Sequence, residues 1–265
     1  MNGADEFYIG WEDRMPPALR RRVRWLVAWL FVLALALGVL LAAGQRLIGV
    51  SVFEWGKIKS FSGVLESRPY PRLLVRRPGV GEGPGAFSSY HLVRPFKFGL
   101  DAGTSRRFDG QAVELQGTLI YRDGQTMIEV AENSIRAASS ASRISADSPA
   151  AQAAATRPVP LGRQTLVGEI VDSKCYLGVM NPGQLATHRG CAIRCISGGI
   201  PPVLLVRLAQ GAPLCFLLVS SAGQPVNQQV LDLVAEPVEI TGDVERQGEL
   251  LVLRADPATY RRMRY

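Results

Sequence analysis

Cysteine and histidine are scarce in this chain, four and two among 265 residues. No two cysteines are spaced C-x-x-C, which argues against a thioredoxin-like redox centre, and no C-x-x-C-H is present to attach haem covalently. Charge is missing from residues 25–44, where Trp25-Leu-Val-Ala-Trp29 opens an unbroken apolar run to Gly44. Aromatic residues are missing from residues 137–160, which are rich in Ala and Ser and end Arg-Pro-Val-Pro. The first gap reads as a membrane span, because twenty residues at about 1.5 Å each match the hydrocarbon core. The second reads as a flexible linker.

The net charge of +7 invites a nucleic-acid reading. Much of it lies in Arg20, Arg21, Arg22 and Arg24, just before the apolar run, and in Arg261, Arg262 and Arg264 at the tail. The first group sets topology. By the positive-inside rule residues 1–24 form a cytoplasmic tail, 25–44 a signal-anchor, and everything beyond about residue 46 lies outside the cytoplasm. A cleaved signal peptide is the other reading, but the run is long for an h-region and lacks a clean small-x-small site. Nucleic-acid binding is not expected; the bilayer and a membrane-complex protein are the expected partners.

Beyond the span two segments resemble each other. Phe61-Ser-Gly63-Val-Leu-Glu66 matches Leu166-Val-Gly168-Glu-Ile-Val171, and Val113-Glu-Leu-Gln-Gly117 matches Val238-Glu-Ile-Thr-Gly242. In the second copy the alternation predicts strands at 165–172, 202–208, 213–220, 238–245 and 249–254, with a short helix at 227–235 N-capped by Asn227. In the first copy strands are expected near 58–66, 71–76, 87–94, 112–121 and 125–131, with a hairpin loop at 79–85. The expected fold class is therefore mostly β: one transmembrane helix, then two tandem OB-fold-like five-stranded barrels at 58–136 and 161–260. A generic five-stranded sandwich is the alternative.

Gly63 and Gly117 are 54 positions apart, Gly168 and Gly242 are 74. The excess falls after the first strand of the second copy, at 173–201, and there the scarce residues gather: Cys175, His188, Cys191 and Cys195. A helix over 184–196 would place His188, Cys191 and Cys195 on one face, with Cys175 approaching from the strand end. Three thiolates and an imidazole suit zinc, or copper(I) with fewer ligands. Outside the cytoplasm the same cysteines, with Cys215, equally read as disulfides, and a bridge from Cys175 to Cys191 or Cys195 would staple the helix to the strand. Thiol catalysis by Cys191 or Cys195 with His188 is a third reading, for which no third orienting residue is evident, though Asp172 near Lys174 is available. His91 reads as a structural strand residue; Arg72, Arg76, Arg77, Arg94 and Lys97 read as a basic face.

The pattern Asp172-x-x-Cys175, His188-x-x-Cys191-x-x-x-Cys195, Gly199-x-Pro201 resembles that of a bacterial family of membrane-anchored proteins with small OB-like barrels. More loosely, an anchor followed by an OB-type barrel is similar to the membrane-anchored haem chaperone of cytochrome c maturation, but the His-x-x-x-Tyr that binds haem there is absent. The anchor, the exported thiols and the absence of evident catalytic machinery lead to the expectation of a periplasmic accessory or assembly subunit of an inner-membrane oxidoreductase, not an enzyme, with a metal-binding Cys/His loop. A disulfide-stapled interaction module is the alternative.

Overall fold

The computed structural model describes residues 14–45, 51–78, 86–138 and 157–263. The expected hairpin loop at 79–85 and most of the expected linker lie outside the described residues. The chain divides into two units, Met1–Gly49 and Val50–Tyr265.

The first unit contains helix α1 (Pro17–Gln45). Proline suits a first helical position, and the Leu/Ala/Val run that follows loses little side-chain freedom in a helix. Its side chains are exposed all round, Trp29 and Leu40 included, and its most apolar stretch has a mean hydropathy of 2.8. The helix is long and apolar enough to cross a membrane.

The second unit is built from two barrels of one design. The first comprises β1 (Ser51–Phe53), β2 (Lys59–Glu66), β3 (Arg72–Arg76), β4 (Phe87–Val93), the short helix α2 (Ala102–Arg107), β5 (Ala112–Arg122), β6 (Gln125–Val130) and β7 (Arg136–Ala137). The second comprises β8 (Val159–Asp172), helix α3 (Arg189–Ser197), β9 (Pro202–Val206), β10 (Leu214–Val219), β11 (Pro237–Gln247), β12 (Leu250–Arg254) and β13 (Arg261–Arg262). In the first, β2, β3, β4, β6 and β5 pair in that order and β5 returns to β2, closing the barrel; β8, β9, β10, β12 and β11 close the second in the same way. In each the third and fifth strands run parallel, the signature of the OB order. The fold is mostly β, with two closed five-stranded barrels.

The repeat holds in register. Gly63 faces Val113 and Gly168 faces Val238, and a Cβ on either glycine would fall within 2.5 Å of a backbone oxygen of the next strand. These are the points where a tightly coiled first strand lets its neighbour approach, and only glycine leaves the room. Even the two-residue strands β7 and β13 correspond, each pairing with the start of the fourth strand.

Two expectations are corrected. The helix expected at 227–235 shrinks to a 3-10 turn, Leu231–Leu233. Asn227 is not its cap; its amide donates instead to the carbonyls of Ile196 and Ile200, at 2.8 and 2.9 Å, satisfying oxygens at the end of α3. Helix α2 was not expected, being short and carrying Gly103; Asp101 caps it by accepting the Thr104 N–H.

The barrels share a third core. Leu65, Leu73, Leu92 and Val113 fill the first and Ile170, Leu204, Phe216 and Leu253 the second. Between them Tyr70, Val93, Ile120 and Met127 meet Val171, Leu205, Cys215 and Leu217. Alternate residues of β10 thus point into its own barrel and into this seam, so the strand is buried on both faces after Leu214. That is the physical reason for its continuous apolar run.

Candidate metal centre

The segment between β8 and β9 is the expected insertion, and the fold gathers its scarce residues, with Asp172, into two groups of three that share Cys175 rather than into one group of four. Asp172 ends β8 with no exposed surface. One of its oxygens accepts the Cys175 N–H at 2.7 Å and the other lies 3.1 Å from His188 Nε2. Cys175 opens a wide five-residue turn, Cys175–Val179. Gly183 then packs so closely on Cys175 that a Cβ would fall 2.4 Å from its carbonyl oxygen. The Leu185 N–H donates to the Glu169 carboxylate, and Leu185 takes a φ of 70°. These anchors break the helix expected over 184–196. A 3-10 turn, Ala186–His188, precedes α3, and His188 stands at the head of that helix.

Cys191 and Cys195 lie one turn apart on α3, on the same face. Cys175 Sγ is 4.0 Å from Cys191 Sγ and 3.9 Å from Cys195 Sγ. Four ligands at about 2.3 Å from a tetrahedral ion are about 3.8 Å apart, whereas a disulfide would need about 2.05 Å. Ligand atoms of Cys175, His188 and Cys191 lie within 4.8 Å of one another, as do those of Asp172, Cys175 and Cys195. The cluster could hold a metal ion. Asp172 would suit a place behind His188, holding the imidazole while the softer sulfurs took the ion. Cys215 belongs to neither group; it lies on β10 at the seam, where burial pushes its thiol up to about 12.

Lys97 was not foreseen at this site. It reaches from the first barrel, and its ammonium donates to Cys191 Sγ at 2.8 Å. That contact, with the other two sulfurs beyond it, raises the Lys97 pKa against the opposing effect of burial. The thiols are unequal. Cys195 is drawn down, first by the hydrogen Cys175 offers it and then by Lys97, against burial and Asp172. Cys175 is pushed up by giving that hydrogen, by burial and by the Asp172 charge. A divalent ion bound by three thiolates would leave one negative charge, which the Lys97 ammonium would offset.

The insertion is also what the first barrel docks on. Buried Lys174 donates to the carbonyls of Arg94 and Phe96, both at 2.8 Å, and pairs with Glu129. Arg122 stacks over the Tyr176 ring at 4.4 Å and donates to its carbonyl. Gly99 N–H donates to Gly198 O, where a Cβ on Gly198 would fall 2.0 Å from Lys97 O. The expected basic face is accordingly dispersed: Arg72 pairs with Glu66, Arg77 with Glu249, and Lys97 turns to Cys191. His91 is structural to the extent of lying buried in β4, as expected. Asp172 was signalled by its D-x-x-C spacing, but nothing local marks Lys97 or Lys174 as partners across the seam.

No protein-family model matches the chain, and no curated protein matches it. Among solved structures, a deletion mutant of the single-stranded DNA binding protein from Thermus aquaticus matches over 82% of this chain and 89% of that one, with 11% identity and a TM-score of 0.23. So loose a superposition carries no argument. The OB assignment stands on strand order and closure in the chain itself.

Proposed function

We propose that Cys175, His188, Cys191 and Cys195 bind one zinc ion, and that the chain is a membrane-anchored accessory or assembly subunit acting outside the cytoplasm beside an inner-membrane oxidoreductase. The observation that carries the metal reading is the spacing of Cys175 Sγ from two other sulfurs, 3.9 and 4.0 Å, with His188 held by a buried carboxylate. Four protein ligands leave no open position, the pattern of a structural rather than a catalytic zinc. An exported site with three reduced thiols needs protection from oxidation, and a bound metal supplies it. The topology rests on the arginines before α1 and the apolar run after them. The accessory role rests on the anchor and the exported metal loop.

A second reading has one observation in its favour: a His188–Asp172 pair beside cysteines is also how a thiol enzyme orients its base. One experiment separates the readings. Full-length protein extracted from its native membrane is assayed for metal and for free thiols. Zinc binding predicts one ion per chain, lost in Cys175→Ser and in His188→Ala. Metal-free protein with one fast-alkylating cysteine would favour the enzyme. A mapped bridge to Cys175 would replace both with the disulfide staple, and stoichiometric copper would correct the metal while keeping the site.

A further inference from the structure

A second place in the fold gathers polar groups that the metal centre does not use. A cavity of about 220 Å³ lies on the seam, walled by Ser89, His91 and Gln125 of the first barrel and by Ser173, Cys215 and Leu250 of the second. Across its lining the Arg77 guanidinium pairs with the Glu249 carboxylate, so its two charged groups cancel. What remains is uncharged, with polar groups of Ser89, His91, Gln125 and Ser173 standing beside Leu177, Val203, Leu217 and Leu250. Ser89 Oγ, His91 Nδ1 and Ser173 Oγ are buried, line this one cavity and have no hydrogen-bond partner in the protein. His91 and Ser173 are each more than nine-tenths buried. Three such groups on residues that wall one cavity are costly unless something bonds to them, about 1–3 kcal/mol each.

The protonation of His91 narrows the chemistry. Its other ring nitrogen donates to the Pro71 carbonyl, and burial, with the nearby Arg72 charge, pushes its pKa down to about 4. At neutral pH the imidazole is uncharged, with its proton on Nε2, and Nδ1 offers the cavity a bare lone pair. Two hydroxyls beside it can turn to donate or accept. An anion would find no unpaired cation beside that lone pair, since Arg72 pairs with Glu66 and Arg77 with Glu249, and a cation would find the Glu249 carboxylate already taken. The volume matches about seven waters, or one small organic molecule.

We propose that this cavity is a binding site for a small, uncharged, polyhydroxylated molecule that donates a hydrogen bond to His91 Nδ1 and bonds to Ser89 and Ser173. The site is independent of the zinc reading, and zinc content serves as a control in its test.

The probe is erythritol, compared with its anionic relative threonate and with cationic ethanolamine, by saturation-transfer NMR on the full-length protein in detergent. Erythritol is expected to bind saturably. His91→Phe removes the lone pair at similar volume, and Ser89→Val removes a hydroxyl with a residue that suits a strand. Each should weaken erythritol about tenfold, the worth of one buried hydrogen bond. Threonate and ethanolamine should bind at least about tenfold more weakly than erythritol. Zinc content and melting temperature identify any variant that misfolds, and two variants keep the test decisive. A lack of saturable erythritol binding, equal binding by a charged relative, or unchanged binding in a folded variant would each overturn the proposal.

Discussion

Replacing Gly198 by alanine is the sharpest test of how the two barrels meet. Gly198 closes α3 with φ −79° and ψ 0°, a conformation alanine adopts readily. Considered alone, the substitution should stabilise the protein by about 0.4–1 kcal/mol through the unfolded chain. The seam reverses the sign. The new Cβ would lie 2.0 Å from Lys97 O, where ordinary contact begins near 3.4 Å, so one backbone must retreat by about 1.4 Å. Neither partner is a side chain that can rotate aside. Retreat breaks the Gly99–Gly198 hydrogen bond and withdraws the residue whose ammonium touches Cys191. Overpacking of this kind costs about 1–3 kcal/mol and the hydrogen bond about 1 kcal/mol more. Set against the gain of about 0.4–1 kcal/mol, the expected net loss is about 1–3.5 kcal/mol, or about 0.5–2 M in the urea midpoint if the slope stays near 2 kcal/mol/M. Gly190→Ala is the matched control, since it lies on the same helix with nothing within 4 Å of the added methyl. It should stabilise by up to about 1 kcal/mol. A Gly198→Ala protein as stable as the wild type would refute the close seam.

Other outcomes follow from single residues. Asp172→Asn should leave the fold standing but loosen zinc by about 10–100-fold in a chelator competition, because His188 loses the charge that orients it. Lys174→Met should cost about 3–5 kcal/mol in urea melts, because Glu129 and two carbonyls are left buried beside an apolar chain. For His91 the folded value of about 4 lies below the ordinary 6.5, so acid protonates the unfolded chain first. Its contribution is therefore intact above about pH 6.5 and falls as pH drops toward 4, by about 3 kcal/mol in full. The wild-type stability should thus decline over that range more steeply than that of His91→Phe; parallel curves would show that His91 is not held neutral.

The barrel was legible because period-two alternation and paired glycines are local signals. Gly63 and Gly168, and Gly117 and Gly242, mark equivalent strand contacts, and their unequal spacing locates the insertion. Cys175, His188, Cys191 and Cys195 were legible as a group because rare residues in a short insertion have few ways to avoid one another. The helical face imagined for them was only partly right, since Gly183 and Leu185 answer to contacts with Cys175 and Glu169 that no periodicity encodes. Asn227 looked like a cap for the same reason: its actual acceptors, Ile196 and Ile200, are far away in sequence. Least legible was the seam. A strand such as β10, apolar at every position, says that both faces are covered but not by what.

That double burial has a consequence for covalent continuity. If Tyr70, Met127, Leu205 and Leu217 meet in one shared core, the peptide linking Ala138 to Arg157 is not what keeps the halves together. Each half made alone would expose a sheet face meant for the other. Made as two separate polypeptides in one compartment, they should find each other and reassemble, the first half, which carries α1, holding the second. The repeat then behaves as a heterodimer that happens to be encoded as one chain.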